Sequence, residues 1–170
     1  PTLYGNGVEH SRDVGLSSVI ENAVRFFEDN DINDAVVVGH SYAGMILTAL
    51  GDQIPERIRR LVYWNAFVPL NGESLNDLVP EHYVALFDSL RQDDGGVSLP
   101  FPVWREAFIN DASIDLAQSA YEKLLPHPYK TFTDPIRLSK SPAECELPKS
   151  YINCTEDTAL PHSHPWHPRL

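Results

Sequence analysis

The chain has 170 residues and a formal charge of -11, enough length for one domain with a real core. Apolar residues make up 42% and charged residues 22%, which fits a folded globular protein, and no apolar run approaches the ~20 residues that span a bilayer. Asp and Glu number 24 against 13 Lys and Arg, an imbalance that argues against nucleic acid or an anionic membrane as partner. Cys145 and Cys154 make no disulfide framework in a chain of this size. A reduced, cytoplasmic setting is the expectation, although the chain opens at Pro1 without a methionine and so carries no information on a leader.

In chain order, residues 1–13 contain Gly and Asn without periodicity and read as a loop arriving from something upstream. Ser17 and Ser18 are good N-caps for an amphipathic helix that carries Val19, Ile20, Ala23, Val24, Phe26 and Phe27 and ends near Asp29. After a turn over 31–34, Ala35 to Val38 is predicted as a buried parallel strand. Next come Gly39-His40-Ser41-Tyr42-Ala43-Gly44 and a helical pattern from Ala43 to Leu50. A Gly-x-Ser-x-small stretch arises by chance in ordinary strand-to-helix turns. Here the strand before it and the helix after it supply the context of a nucleophile elbow.

The chemistry explains the pattern. A serine hydroxyl is a weak nucleophile at neutral pH and must be held where a base can reach it. The turn does this by straining the serine backbone, and the residues two before and two after must be small. Gly39 and Ala43 meet that demand, with Gly44 following. The Tyr42 N–H, at the helix start, would point at a developing oxyanion. His40 reads as lying beside the site rather than serving as its base, and Tyr42 could also line an acyl pocket.

Pro55 starts a short helical turn, Arg60 to Trp64 reads as a second buried strand, and 66–72 as a loop. This alternation marks a parallel sheet flanked by helices. From Glu73 to about Ser139 helical patterns (74–79, 83–90, 103–109, 113–124) alternate with breaks at Gly95-Gly96, Pro100 and Pro126, with no strand pattern between them. Aromatic residues are dense here, and Tyr83, Phe87, Trp104 and Phe108 are the substrate-contact candidates, since binding pockets are mostly apolar and aromatic. The segment reads as a helical lid, or else as a helical layer with its own core. Tyr151 to Cys154 reads as a third strand, followed by Thr155-Glu156-Asp157, and the proline-rich tail 161–168 as extended. The resulting division is core 1–72, cap 73–139 and core 140–170, within a single domain.

The elbow, the segment Asn65-Ala66-Phe67-Val68-Pro69 and the segment Tyr151 to Asp157 together resemble the α/β-hydrolase superfamily. More narrowly, they resemble its branch of plant methyl esterases, hydroxynitrile lyases and bacterial pyrethroid-type carboxylesterases. The resemblance implies an α/β fold with a parallel sheet and a helical cap, Ser41 as nucleophile and Asp157 as triad acid. Some members carry the acid after the strand that follows the elbow helix. That position is the uncharged Asn65 here, which leaves the role to Asp157. In the family the base histidine lies roughly 25 to 30 residues past the acid, whereas Leu170 is the last residue of this sequence. His162, His164 and His167 come too early. The base, and the His-Gly loop that supplies the second oxyanion N–H, are expected outside residues 1–170. The chain then reads as an internal piece truncated at both ends, inactive by itself, with the first strand left as an open edge.

The implied activity is cofactor-independent ester hydrolysis through an acyl-enzyme, on a small apolar or aromatic ester. Hydroxynitrile lyase or cofactor-free dioxygenase chemistry on the same fold stays open, as does a non-catalytic binding role. No cofactor or metal is expected. His162-x-His164-x-x-His167 invites a metal reading, but the interleaved prolines keep these residues off one helical face and no further ligand closes the set. His10, His82 and His127 fall in loops or at helix ends and read as solvated, and Glu156 as surface. Nothing in the sequence reports the oligomeric state, and a homodimer is left open.

Overall fold

The computed structural model describes residues 1–160 and 166–170. Its centre is a three-stranded parallel sheet in the order β1 (Ala35–His40), β2 (Ile58–Trp64) and β5 (Lys149–Ile152). Helices α1 (Leu16–Asp29) and α2 (Ala43–Gln53) cover one face. Every residue of α2 from Gly44 to Gly51 is buried, which explains why its sequence shows so little polar character. Leu16, Val19, Met45, Leu47, Leu61 and Tyr63 form the centre of this core. The Thr48 hydroxyl donates to Gly44 O at 2.8 Å and lies 3.0 Å from the Tyr63 hydroxyl, tying helix to strand without leaving a polar group unpaired.

The other face of the sheet is open. Val38 is 59% and Trp64 47% exposed, with Val36 and Ile152 beside them, so the expected burial of β1 and β2 holds on one side only. The triple valine reads as a two-sided strand, yet its alternate members face opposite ways, as the period of 2 requires. Among the described residues β1 is an edge strand, as expected.

Between β2 and β5 the chain builds an outer layer: α3 (Leu75–Leu78), α4 (Glu81–Ser89), β3 (Gly96–Val97), α5 (Phe101–Val103) running into a π-helical turn at Trp104–Phe108, α6 (Ile114–Tyr121), β4 (His127–Pro128) and α7 (Lys130–Thr133). The expectation that no strand interrupts this region is corrected by β3 and β4, which pair antiparallel across Gly96↔Pro128 and Val97↔His127. Two residues per strand are too few to leave a period in the sequence. Helix α1 is capped differently from the prediction. Leu16 N–H donates to the Asp134 carboxylate at 3.0 Å, so the cap comes from across the fold rather than from Ser17 or Ser18. Strand β5 ends at Ile152, which puts Cys154 beyond the strand. His167–Arg169 form a 3-10 turn rather than extended chain, while 161–165 lie outside the described residues.

One contact sets how closely α2 approaches the loop after β2. A Cβ added at Gly44 would sit 2.0 Å from Phe67 O and 2.8 Å from Phe67 N, and main chain on both sides leaves nothing flexible to move. At Gly39 the same construction meets Ala43 O at 3.1 Å, a milder constraint. Gly44→Ala is therefore expected to destabilise the fold by about 1–3 kcal/mol, the usual cost of overpacking, measured by denaturant unfolding. An unchanged unfolding midpoint would contradict this packing.

Candidate functional site

Three chain segments converge where β1, β2 and β5 end, the edge at which open α/β sheets bind ligands. Ser41 follows β1 with φ +52°, and Asn65 follows β2 with φ +43°, both in the left-handed region that non-glycine residues seldom adopt. Ser41 O accepts from Gly44 N–H at 3.0 Å and from Phe67 N–H at 3.2 Å, and Ser41 N–H donates to Trp64 O at 3.4 Å. The strained residue is thus held by α2, by β2 and by the loop after it. No acceptor for the Tyr42 N–H occurs among the described residues.

Asp157 reaches the same place from the turn after β5. One carboxylate oxygen accepts from Asn65 Nδ2 at 2.5 Å and the other from Ala159 N–H at 2.9 Å. Asn65 Oδ1 in turn accepts from Cys154 N–H at 3.3 Å, and Asn65 N–H donates to Ile152 O at 2.7 Å. Tyr151 adds a hydroxyl donated to Ala66 O at 3.0 Å.

A cavity of about 570 Å³ opens over these groups. Its lining includes the catalytic and substrate-contact candidates read from the sequence: His40, Ser41, Tyr42, Tyr83, Phe87, Trp104, Phe108 and Asp157. Asn65, Phe67, His127 and Phe132 join them. The walls are mainly apolar and aromatic, and among the described residues neither lysine nor arginine lines them. Tyr83 also holds the site together, because its hydroxyl donates to Ala159 O at 2.6 Å, two residues from Asp157. Burial, with the Asp157 charge nearby, raises the Tyr83 phenol above its ordinary value. Trp104 and Phe108 stack at 6.1 Å across the π-helical turn, and Phe87 packs on Phe132 at 4.8 Å. His40 sits at the rim against Trp64, ring centroids 5.1 Å apart. Partial burial lowers its pKa, opposed by the charge of Asp157. No group of three or more His, Cys, Asp or Glu able to hold a metal occurs among the described residues. His162 and His164 lie outside them, and His167 packs beside Tyr151 at 5.9 Å.

A family model described as the alpha/beta hydrolase family matches residues 1–170. The chain belongs to the α/β-hydrolase family. Among solved structures it is similar to an extracellular alpha/beta-hydrolase from a Paenibacillus species, described as sharing structural and functional homology with tobacco salicylic acid binding protein 2. The TM-score is 0.92 and the identity 32%, over 99% of this chain and 71% of that one. A methylesterase from Arabidopsis shares the fold at TM-score 0.73 and 17% identity, over 95% of this chain and 67% of that one. Among curated proteins, the carbendazim hydrolyzing esterase of Nocardioides sp. (strain SG-4G) is 42% identical over 84 residues, which span 48% of this chain and 35% of the esterase. No helix among the described residues of this α/β-hydrolase chain is long and apolar enough to cross a membrane.

Sequence reasoning placed His127 in solvent, and the structure corrects it. The imidazole is half-buried in the cavity wall, with Nε2 2.8 Å from the Thr131 hydroxyl, Phe132 stacked on one side at 4.6 Å and Tyr42 edge-on at 4.5 Å. Pro126 and Pro128 on either side read as a solvated break, whereas Thr131 and Phe132 of α7 and the Tyr42 ring cover much of the imidazole. Burial, reinforced by the Arg12 guanidinium, pulls the His127 pKa down to about 4. The folded state therefore keeps His127 neutral where an unfolded chain would protonate it. Its contribution to stability is complete above pH ~6.5 and is lost as pH falls toward 4, by up to about 3 kcal/mol. Between pH 7 and pH 4.5 the wild-type protein should lose stability relative to His127→Gln in urea unfolding. Parallel curves would contradict a neutral buried imidazole.

Proposed function

We propose that this chain carries the nucleophile and the acid of a serine esterase, with Ser41 as nucleophile and Asp157 as acid. The observation that carries the reading is the left-handed Ser41, fixed from three sides at the mouth of an apolar cavity. A non-glycine residue keeps such a conformation at a cost of about 1–3 kcal/mol, and residues strained in this way cluster at active sites.

In the proposed acylation Ser41 Oγ attacks the ester carbonyl while an imidazole takes its proton. The Tyr42 N–H, free of other acceptors among the described residues, donates to the oxyanion. Collapse of the tetrahedral intermediate breaks the carbon–oxygen bond to the alcohol, which leaves with the proton held by the imidazole. Water then adds to the acyl-enzyme, the same imidazole serving first as base and then as acid. Water is the only co-reactant the balance needs. Asp157 orients the imidazole and offsets its charge. No hydrogen bond joins Asp157 to a histidine among the described residues, and the base in this proposal is an imidazole beyond them.

The cavity favours uncharged, apolar or aromatic esters. With neither lysine nor arginine in its lining among the described residues, a carboxylate on the substrate would lose its hydration without gaining such a partner. The hydrolytic activity in the name of the similar Nocardioides esterase supports the reaction class. In the protein that carries this chain, Ser41→Ala should lower turnover of a neutral aryl ester by at least ~10³-fold with substrate binding nearly intact. The wild type should prefer that ester to its carboxylate-bearing counterpart. Retained turnover in Ser41→Ala would contradict the assignment.

A further inference from the structure

Asn65 is the residue at this site whose chemistry the proposed reaction leaves unused. Three of its hydrogen-bonding groups close on the acid segment: Nδ2 on Asp157 Oδ2 at 2.5 Å, Oδ1 on Cys154 N–H at 3.3 Å and its own N–H on Ile152 O at 2.7 Å. The partners Asn65 and Asp157 stand 92 residues apart in sequence, so only the parallel pairing of β2 with β5 brings them together. An amide suits the place. It donates to one neighbour and accepts from another with a single rigid group, and asparagine tolerates the left-handed backbone better than most residues.

Resting on the reading of Asp157 as the acid, we propose that Asn65 is a positioning residue that fixes the Asp157 carboxylate in the orientation from which it can hold an imidazole. Among the described residues Asp157 has one protein donor on each oxygen, Asn65 Nδ2 and Ala159 N–H. The Ala159 bond lies within the same turn and moves with it. Asn65 is the donor anchored to a different strand, and so the one that ties the carboxylate to the end of the sheet on which Ser41 is mounted. Loss of it frees the carboxylate to rotate, and misplacement by about 1 Å in a catalytic array costs on the order of 10²-fold.

The test separates this role from a backbone role and from the proposed reaction itself. Asn65→Gly removes the side chain but suits φ +43° better than asparagine does. In the protein that carries this chain it should lower kcat on a neutral aryl ester by about 10- to 100-fold with KM within about twofold. In an Asp157→Ala background Asn65→Gly should cost less than about twofold, because there is no carboxylate left to position. Full activity in Asn65→Gly, or losses that multiply independently in the double variant, would overturn the proposal. If turnover proves independent of Ser41, the esterase reading falls, and the crystal structure of Asn65→Gly still decides on Asn65. An Asp157 carboxylate that leaves its wild-type rotamer while the Ser41 turn is unchanged supports positioning; one that stays in place overturns it.

Discussion

The site depends on a single peptide carbonyl. Ser41 O accepts from Gly44 N–H in the first turn of α2 and from Phe67 N–H in the loop after β2, and these two bonds hold Ser41 in a conformation it would abandon in isolation. The bond from Phe67 brings helix and loop closer than a side chain at position 44 would permit, which is why that position is glycine. A strained residue persists only where its surroundings over-determine it. Here the surroundings are the most buried helix of the fold and the central strand of its sheet.

From that point the remainder of the site follows the logic of a parallel sheet. Strands that run the same way end on the same edge, so Ser41, Asn65 and the turn bearing Asp157 are brought together without any local sequence relation. The outer layer roofs this edge with rings from Tyr83, Phe87, Trp104, Phe108 and Phe132. It is also bonded to the edge, since Tyr83 donates to Ala159 O and Thr158 Oγ1 donates to Ala107 O at 3.4 Å. Cavity wall and acid turn are therefore one connected unit.

How much of this was legible in the sequence depended on how local the cause was. The elbow was legible, because small residues around a serine between a valine strand and a helix state their own steric reason. The aromatic candidates were legible by density alone, and all four line the cavity. The cap of α1 was not, because Asp134 lies 118 residues from Leu16. Asn65 could be placed at the end of a strand but not assigned a partner, for the same reason. His127 was misjudged because its flanking prolines describe the turn and not what packs on it. The valines of β1 were assigned to burial on both faces when α1 and α2 cover one. Hydrophobicity says what a residue tolerates, and only tertiary packing decides whether it is covered.

The most direct measurement of the central claim is covalent labelling of the protein that carries this chain with an uncharged aryl fluorophosphonate, followed by peptide mapping by mass spectrometry. A serine activated by its strained turn and a neighbouring base attacks phosphorus with loss of fluoride, whereas ordinary serines do not react. One phosphonyl group per chain is expected, on Ser41, with none on Ser98 in the same cavity. An unlabelled Ser41, or label spread over other serines, would contradict it.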